Sequence, residues 1–157
     1  MGDRSYFEVW VFRDGLDRFC ELPDANLARR QEETHAAVLF VDEAMNYGGQ
    51  DLIAQAAADH CTFVGRHSAG DDYGAHLFYG RDGHYHMWEV SHHNNGLVIQ
   101  KSRVPGKLDP TDIVEAESFL KTWAELDRRV RMTELEFLAA ETKGGDNDEP
   151  RRVRGRG

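Results

Sequence analysis

The sequence predicts an α+β fold, an antiparallel sheet packed by helices. Three observations lead there. Four segments between positions 61 and 104 alternate apolar and polar residues and are separated by Gly, Asp and Asn turn signals, the pattern of a meander. An N-terminal stretch shows the same two-residue alternation and runs straight into Asp14-Gly15, so a hairpin joins that meander. Two stretches, near 25–59 and 110–141, carry apolar residues at the three- and four-residue spacing of helices.

Ser5 to Phe12 is the first strand, because Phe7, Val9 and Val11 alternate with Tyr6, Glu8 and Trp10. Leu16 to Leu22 returns as its short partner, and Pro23 ends it. From Asp24, a capping residue, Leu27, Thr34, Val38, Val41 and Met45 recur at helical spacing up to the stop signal Gly48-Gly49. A competing assignment makes the unbroken apolar run Ala36 to Val41 a buried strand, followed by a loop and a helix over Gln50 to Asp59. The flanking Arg-Arg-Gln-Glu-Glu has strong helix propensity, and on that ground the helix is preferred.

The meander strands are Cys61 to Arg66, Tyr73 to Tyr79, His84 to Ser91 and Leu97 to Arg103, with Gly70-Asp71-Asp72, Arg81-Asp82-Gly83 and Asn94-Asn95-Gly96 between them. Pro105-Gly106 breaks the sheet. Asp109 then caps a helix with Pro110 at its first position, and Ile113, Ala116, Leu120, Trp123 and Val130 form its apolar stripe. Thr133 and Glu136 form a second capping box, which places a break near Arg131. Residues 1–142 make a single acidic domain, and 143–157 a flexible Arg-rich tail; there is no internal repeat.

A chain of 157 residues that is 40% hydrophobic, with three Trp, five Tyr and eight Phe, buries a sufficient core without disulfides or a structural metal. No apolar run approaches the length of about 18 residues that a membrane helix needs, and Met-Gly-Asp-Arg-Ser-Tyr-Phe lacks the order of a signal peptide. Tyr6 stands where a myristoylation pattern requires Ser or Thr. A cytoplasmic protein with no membrane partner is expected. Cys20 and Cys61 have no second cysteine nearby and sit among apolar residues, so both are expected to be buried, reduced thiols.

The net charge of −9 conceals an asymmetry. Arg151, Arg152, Arg154 and Arg156 crowd the last seven residues; over 1–150, 28 acidic residues stand against 15 basic, a balance of −13. Such a body repels nucleic acid and membrane phosphate and attracts basic proteins. The tail is the one segment suited to a phosphate or an acidic groove, so nucleic acid is reached, if at all, through those four arginines.

Seven of the eight histidines lie between positions 60 and 93: His60, His67, His76, His84, His86, His92 and His93. Histidine is the commonest metal ligand and a general base near neutral pH. His84-Tyr-His86, then Glu89 and Gly96, resembles a fragment of the cupin metal motif. Strand alternation puts His84 and His86 on one face and Glu89 on the other, and no histidine follows His93 to complete a cupin ligand set, so that resemblance is set aside. A metal, if bound, would be held by His84, His86 and His92; an enzyme would draw on these with Glu89 or Asp72. Arg66-His67-Ser68-Ala69-Gly70 has Arg where a nucleophile elbow requires Gly, which predicts a polar loop. No phosphate-cradling or dinucleotide glycine motif occurs.

These residues predict a non-enzymatic acidic binding protein without a cofactor, of the kind that serves as inhibitor, immunity factor, chaperone or assembly component. A basic protein is the expected partner. Trp10, Tyr79, Tyr85 and Trp88 are the candidate surface anchors, with Arg151, Arg152, Arg154 and Arg156 as a second contact element. A small His-dependent, metal-assisted hydrolase is the alternative.

Overall fold

The computed structural model describes residues 4–46, 49–70, 74–90 and 110–132, together with 135, 136 and 139. In chain order the elements are β1 (Arg4–Phe12), α1 (Leu16–Cys20), β2 (Arg29–Glu33), β3 (Ala37–Asn46), α2 (Gln50–Ala58), β4 (Phe63–His67), β5 (His76–Arg81), β6 (His84–Glu89) and α3 (Pro110–Val130). The strands form one sheet in the order β2-β3-β1-β4-β5-β6, every neighbouring pair antiparallel. The α+β class predicted from the sequence is the observed one.

Helices cover both faces of the sheet. Alternation along β1 sends Phe7, Val9 and Val11 to the α2 side, where they join Phe19 of α1, Leu52 and Ile53 of α2, and Phe63 and Phe78. The intervening Trp10 and Phe12 face α3 and join Leu39, Val64, Tyr79, Phe119 and Leu126. Each buried aliphatic or aromatic side chain removed from water contributes about 1.5–3 kcal/mol, so the two clusters together hold the three layers in place.

Burial on both faces explains the largest departure from expectation. The segment 24–45 is not a helix: Pro23–Leu27 is a 3-10 turn, Arg29–Glu33 is strand β2, and Ala37–Asn46 is strand β3. An unbroken apolar run is what a central strand needs when Val38 and Phe40 pack under α2 while Ala37, Leu39 and Val41 pack under α3. Arg-Arg-Gln-Glu-Glu, fully exposed in β2, guards the sheet's end with charge in place of extending a helix. A bulge in β3 opposite Ser5 and Phe7 inserts an extra residue, so Met45 returns to the α2 side despite its odd number. Gly49 therefore opens α2, and the element before it is the strand β3 where a helix was expected.

The N-terminal hairpin is also corrected. Leu16–Cys20 is a short helix, because Phe19 and Leu22 bury their side chains three residues apart; β1 pairs with β3 and β4. Of the meander, β4, β5 and β6 are present, joined for the last pair by a two-residue turn in which Asp82 and Gly83 have φ of 55° and 82°. Two consecutive left-handed residues match the twist of antiparallel strands, and Gly takes the second position without strain. The strand expected over 97–103, the Asn94-Asn95-Gly96 turn, Thr133 of the second capping box and the tail 143–157 lie outside the described residues. α3 ends at Val130, and its buried stripe is Ala116, Phe119, Leu126 and Val130, with Leu120 turned outward. Among the described residues no helix is long and apolar enough to cross a membrane.

Candidate functional site

The hairpin β5–β6 and the first half of α3 build a groove that combines aromatic rings with an imidazole, a hydroxyl and a carboxylate. Since the Asp82-Gly83 turn spans two residues, Arg81 faces His84, Gly80 faces Tyr85 and Tyr79 faces His86. Alternation places Tyr79, His86 and Trp88 on the α3 side, while Tyr85 and Met87 lean on the core under α2. Phe119 descends from α3 between them: its ring lies 5.3 Å from that of Tyr79 and 5.9 Å from that of Trp88, and the Tyr79 and His86 rings are 4.9 Å apart. Ring pairs at these separations contribute about 0.5–1.5 kcal/mol beyond the area they bury.

The recess encloses about 670 Å³ and opens to solvent, with Tyr85 and Met87 at its edge and Val114, Glu115 and Ser118 along its helical wall. Tyr79, at 9% exposed, and Phe119, at 5%, are its floor; Trp88 is half-buried and His86 exposed. Glu115 stands one helical turn before Phe119, hence on the same side of α3. Among the described residues the recess thus combines an aromatic floor with one carboxylate, Glu115, on its wall.

Of the four candidate aromatic anchors, Tyr79 and Trp88 meet at this groove, and Tyr85 reaches only its edge, with its ring packed on the α2 side. Trp10 does not: it is buried in the core between the sheet and α3 and presents no surface. His84 and His86 share a strand face and Glu89 takes the other, as alternation requires. Among the described residues no three His, Cys, Asp or Glu side chains gather as a metal ion requires. His92, Arg151, Arg152, Arg154 and Arg156 lie outside the described residues, as does Asp72.

A second polar arrangement escaped the sequence. Register aligns His67 of β4 with His76 of β5, and His76 with Glu89 of β6, in one row on the α2 side. The two imidazole rings are 4.9 Å apart, and His67 stacks 6.5 Å from Phe78. The Nδ1 of His67 donates to the Ser68 carbonyl and that of His76 to the Gly74 carbonyl, both at 2.9 Å. A carbonyl oxygen only accepts, so both Nδ1 atoms carry a proton, and each ring is oriented by its own backbone. Burial pushes the His67 pKa below its ordinary value and the neighbouring His76 adds to that effect, while the bond to Ser68 opposes it. His67 is thus neutral at neutral pH, with Nε2 unprotonated. The predicted loop at 66–70 begins as strand: Ser68 donates its N–H to the Tyr6 carbonyl and accepts the Tyr6 N–H on Oγ, a bond that ties β4 to β1.

The thiols differ from expectation in one respect. Cys61 is buried, donates to the Gly15 carbonyl and has its pKa raised by burial, whereas Cys20 is exposed on α1.

Glu115, Ser118 and Phe119 were absent from the sequence-derived site because nothing in a helix segment Val-Glu-Ala-Glu-Ser-Phe marks chemistry; their role comes from where α3 crosses β5 and β6. Compared with known proteins, the chain matches no family model, no curated protein and no solved structure.

Proposed function

We propose that this protein is a non-enzymatic binding protein that engages a basic macromolecular partner, as an inhibitor, immunity factor, chaperone or assembly component does, and that the α3–β6 groove is its contact surface. The observation that carries the proposal is the convergence of Tyr79, Trp88 and Phe119 on one solvent-open recess of a chain with net charge −9. Aromatic side chains supply most of the affinity at interface centres, and opposite net charge raises the encounter rate. The deep residues of the groove are preformed, because Tyr79 and Phe119 are buried and packed ring to ring. A preformed floor lowers the ordering cost of association.

The test is affinity capture from the source cells with the full chain as bait, followed by measurement of the isolated pair over a salt series. The expected partner carries net positive charge, and the association rate falls as salt rises. An acidic partner, or binding indifferent to salt, would overturn the proposal.

A further inference from the structure

We infer that β2 is a self-association edge: two copies of this chain pair their β2 strands antiparallel about a two-fold axis and join their sheets. Among the described residues β2 ends the sheet and pairs with β3 alone, and all five of its residues are exposed. An edge strand offers a row of backbone N–H and C=O groups to whatever strand matches it. The side chains select the match. Arg29-Arg30-Gln31-Glu32-Glu33 read backwards exchanges positive for negative at every charged position, so antiparallel pairing sets the arginine end of one copy against the glutamate end of the other. Charge that deters an apolar strand thereby favours a second copy of itself.

The pattern holds on the folded strand, bulge included. In the ladder to β3, Arg29 pairs with Val41 and Glu32 with Leu39, both of which face α3; the irregularity between Arg30 and Glu32 returns Glu32 to the face of Arg29. A two-fold axis normal to the sheet preserves that face, so Arg29 of each copy comes beside Glu32 of the other, and the contact is made twice. Neither residue forms an ion pair among the described residues, so both are available. Arg30 and Glu33 take the opposite face. There Glu33 already holds Arg30 at 3.0 Å and Arg13 at 3.2 Å, which neutralises Arg30 where the copies meet. With two Arg against two Glu, β2 is neutral within a chain of net charge −9, so two chains approach there without added repulsion. Leu27, 61% exposed and two residues before the strand, comes against the turn at 34–36 of the second copy and gains cover.

The experiment is sedimentation velocity of the full chain at about 0.15 M salt, where charges more than about 8 Å apart are largely screened and contact pairs persist. A five-residue edge buries little area, so a weak dimer is expected, half formed at about 100 µM and followed from about 10 µM to about 1 mM. Arg29→Glu and Glu32→Arg each set like charges across the axis and should weaken the dimer by about tenfold or more. Both positions are exposed and unpaired within the chain, so both variants fold. Mixed in equal amounts, the two variants should form a heterodimer, and a chain carrying both changes should dimerise like the wild type, because each combination restores opposite charges at the contact. A wild type that stays monomeric throughout, a dimer that either single variant leaves undiminished, or failure of the mixture or of the double variant to re-form it overturns the inference. The groove at β6 lies at the other end of the sheet, so these results leave the basic-partner proposal standing or falling on its own test.

Discussion

The two faces of the sheet are built from similar amounts of aromatic surface and end in different states. Under α2, Phe7, Phe63 and Phe78 interlock, and the glycines beside them are part of the fit: a Cβ on Gly65 would overlap the Glu8 carbonyl oxygen and the Phe78 ring, and one on Gly80 would overlap the Phe63 ring. Under α3 the rings belong to Trp and Tyr as well as Phe, and polar atoms accompany them. Trp123 donates its indole N–H to the Gly65 carbonyl, Tyr79 lies against His86, and the recess reaches solvent. The first face is closed; the second carries the recess at which the proposed partner would bind. Polar handles on aromatic rings make that possible, because a Tyr or Trp at a wet boundary satisfies its donor while keeping its ring available.

Truncation should expose the contrast. Phe78→Ala removes a ring packed on three sides in the closed face and should cost about 4–5 kcal/mol. Phe119→Ala, at the floor of an open groove that water can refill, should cost about 3 kcal/mol and abolish partner binding. Urea denaturation of both variants measures the difference, and equal losses would mean that the faces are packed alike. Gly65→Ala follows, at about 2–3 kcal/mol, since its obstacle is a backbone carbonyl that cannot rotate away.

How much of this was legible in the sequence depends on what fixed each feature. The Asp82-Gly83 turn is local chemistry, and counting outward from it pairs Tyr79 with His86 and His76 with Glu89, so one edge of the groove could be read from the turn alone. The partnership of His67 with His76 could not, because the connection between β4 and β5 runs from Ser68 to Ala75 and is too long to fix a register by counting outward from a turn. Nor could Phe119 or Glu115, whose place depends on the crossing of α3 over the sheet. The error at 24–45 has a different origin. Helix propensity in Arg29–Glu33 is a matter of tenths of a kcal/mol per residue, while burial of Val38, Leu39, Phe40 and Val41 on two faces is worth several, so burial decides. An apolar run of six residues without polar interruption was the better signal, and it indicates a covered sheet.

The closed face also carries a pH dependence. His67 has its folded pKa below the ordinary 6.5, so above that value both states leave it neutral and its burial costs nothing extra. As pH falls below about 6.5 the unfolded chain binds a proton that the folded chain resists, and stability drops until the lower folded pKa is passed. The loss grows as pH falls and cannot exceed about 1.4 kcal/mol per pH unit. Denaturation midpoints of the wild type and His67→Gln at pH 7.5 and 5.5 provide the check. The variant should lose less over that interval, and identical losses would remove His67 as the cause. His76 beside it and Glu89 beyond are the titratable groups in the same row, so His76→Gln serves as the control that isolates the buried ring.

The smallest expected effect is the most discriminating. Glu115 makes no ion pair among the described residues, and it is exposed on α3, so Glu115→Gln should alter unfolding free energy by less than about 0.5 kcal/mol. The same change is expected to weaken binding of the proposed basic partner by about tenfold. Stability and binding would thereby separate at one residue, as they must if the open face is reserved for a partner and the closed face for the fold. Should Glu115→Gln instead destabilise the protein by about 1 kcal/mol or more, the contribution of a structural hydrogen bond, its carboxylate belongs to the architecture of α3, and the contrast between the faces loses its functional meaning.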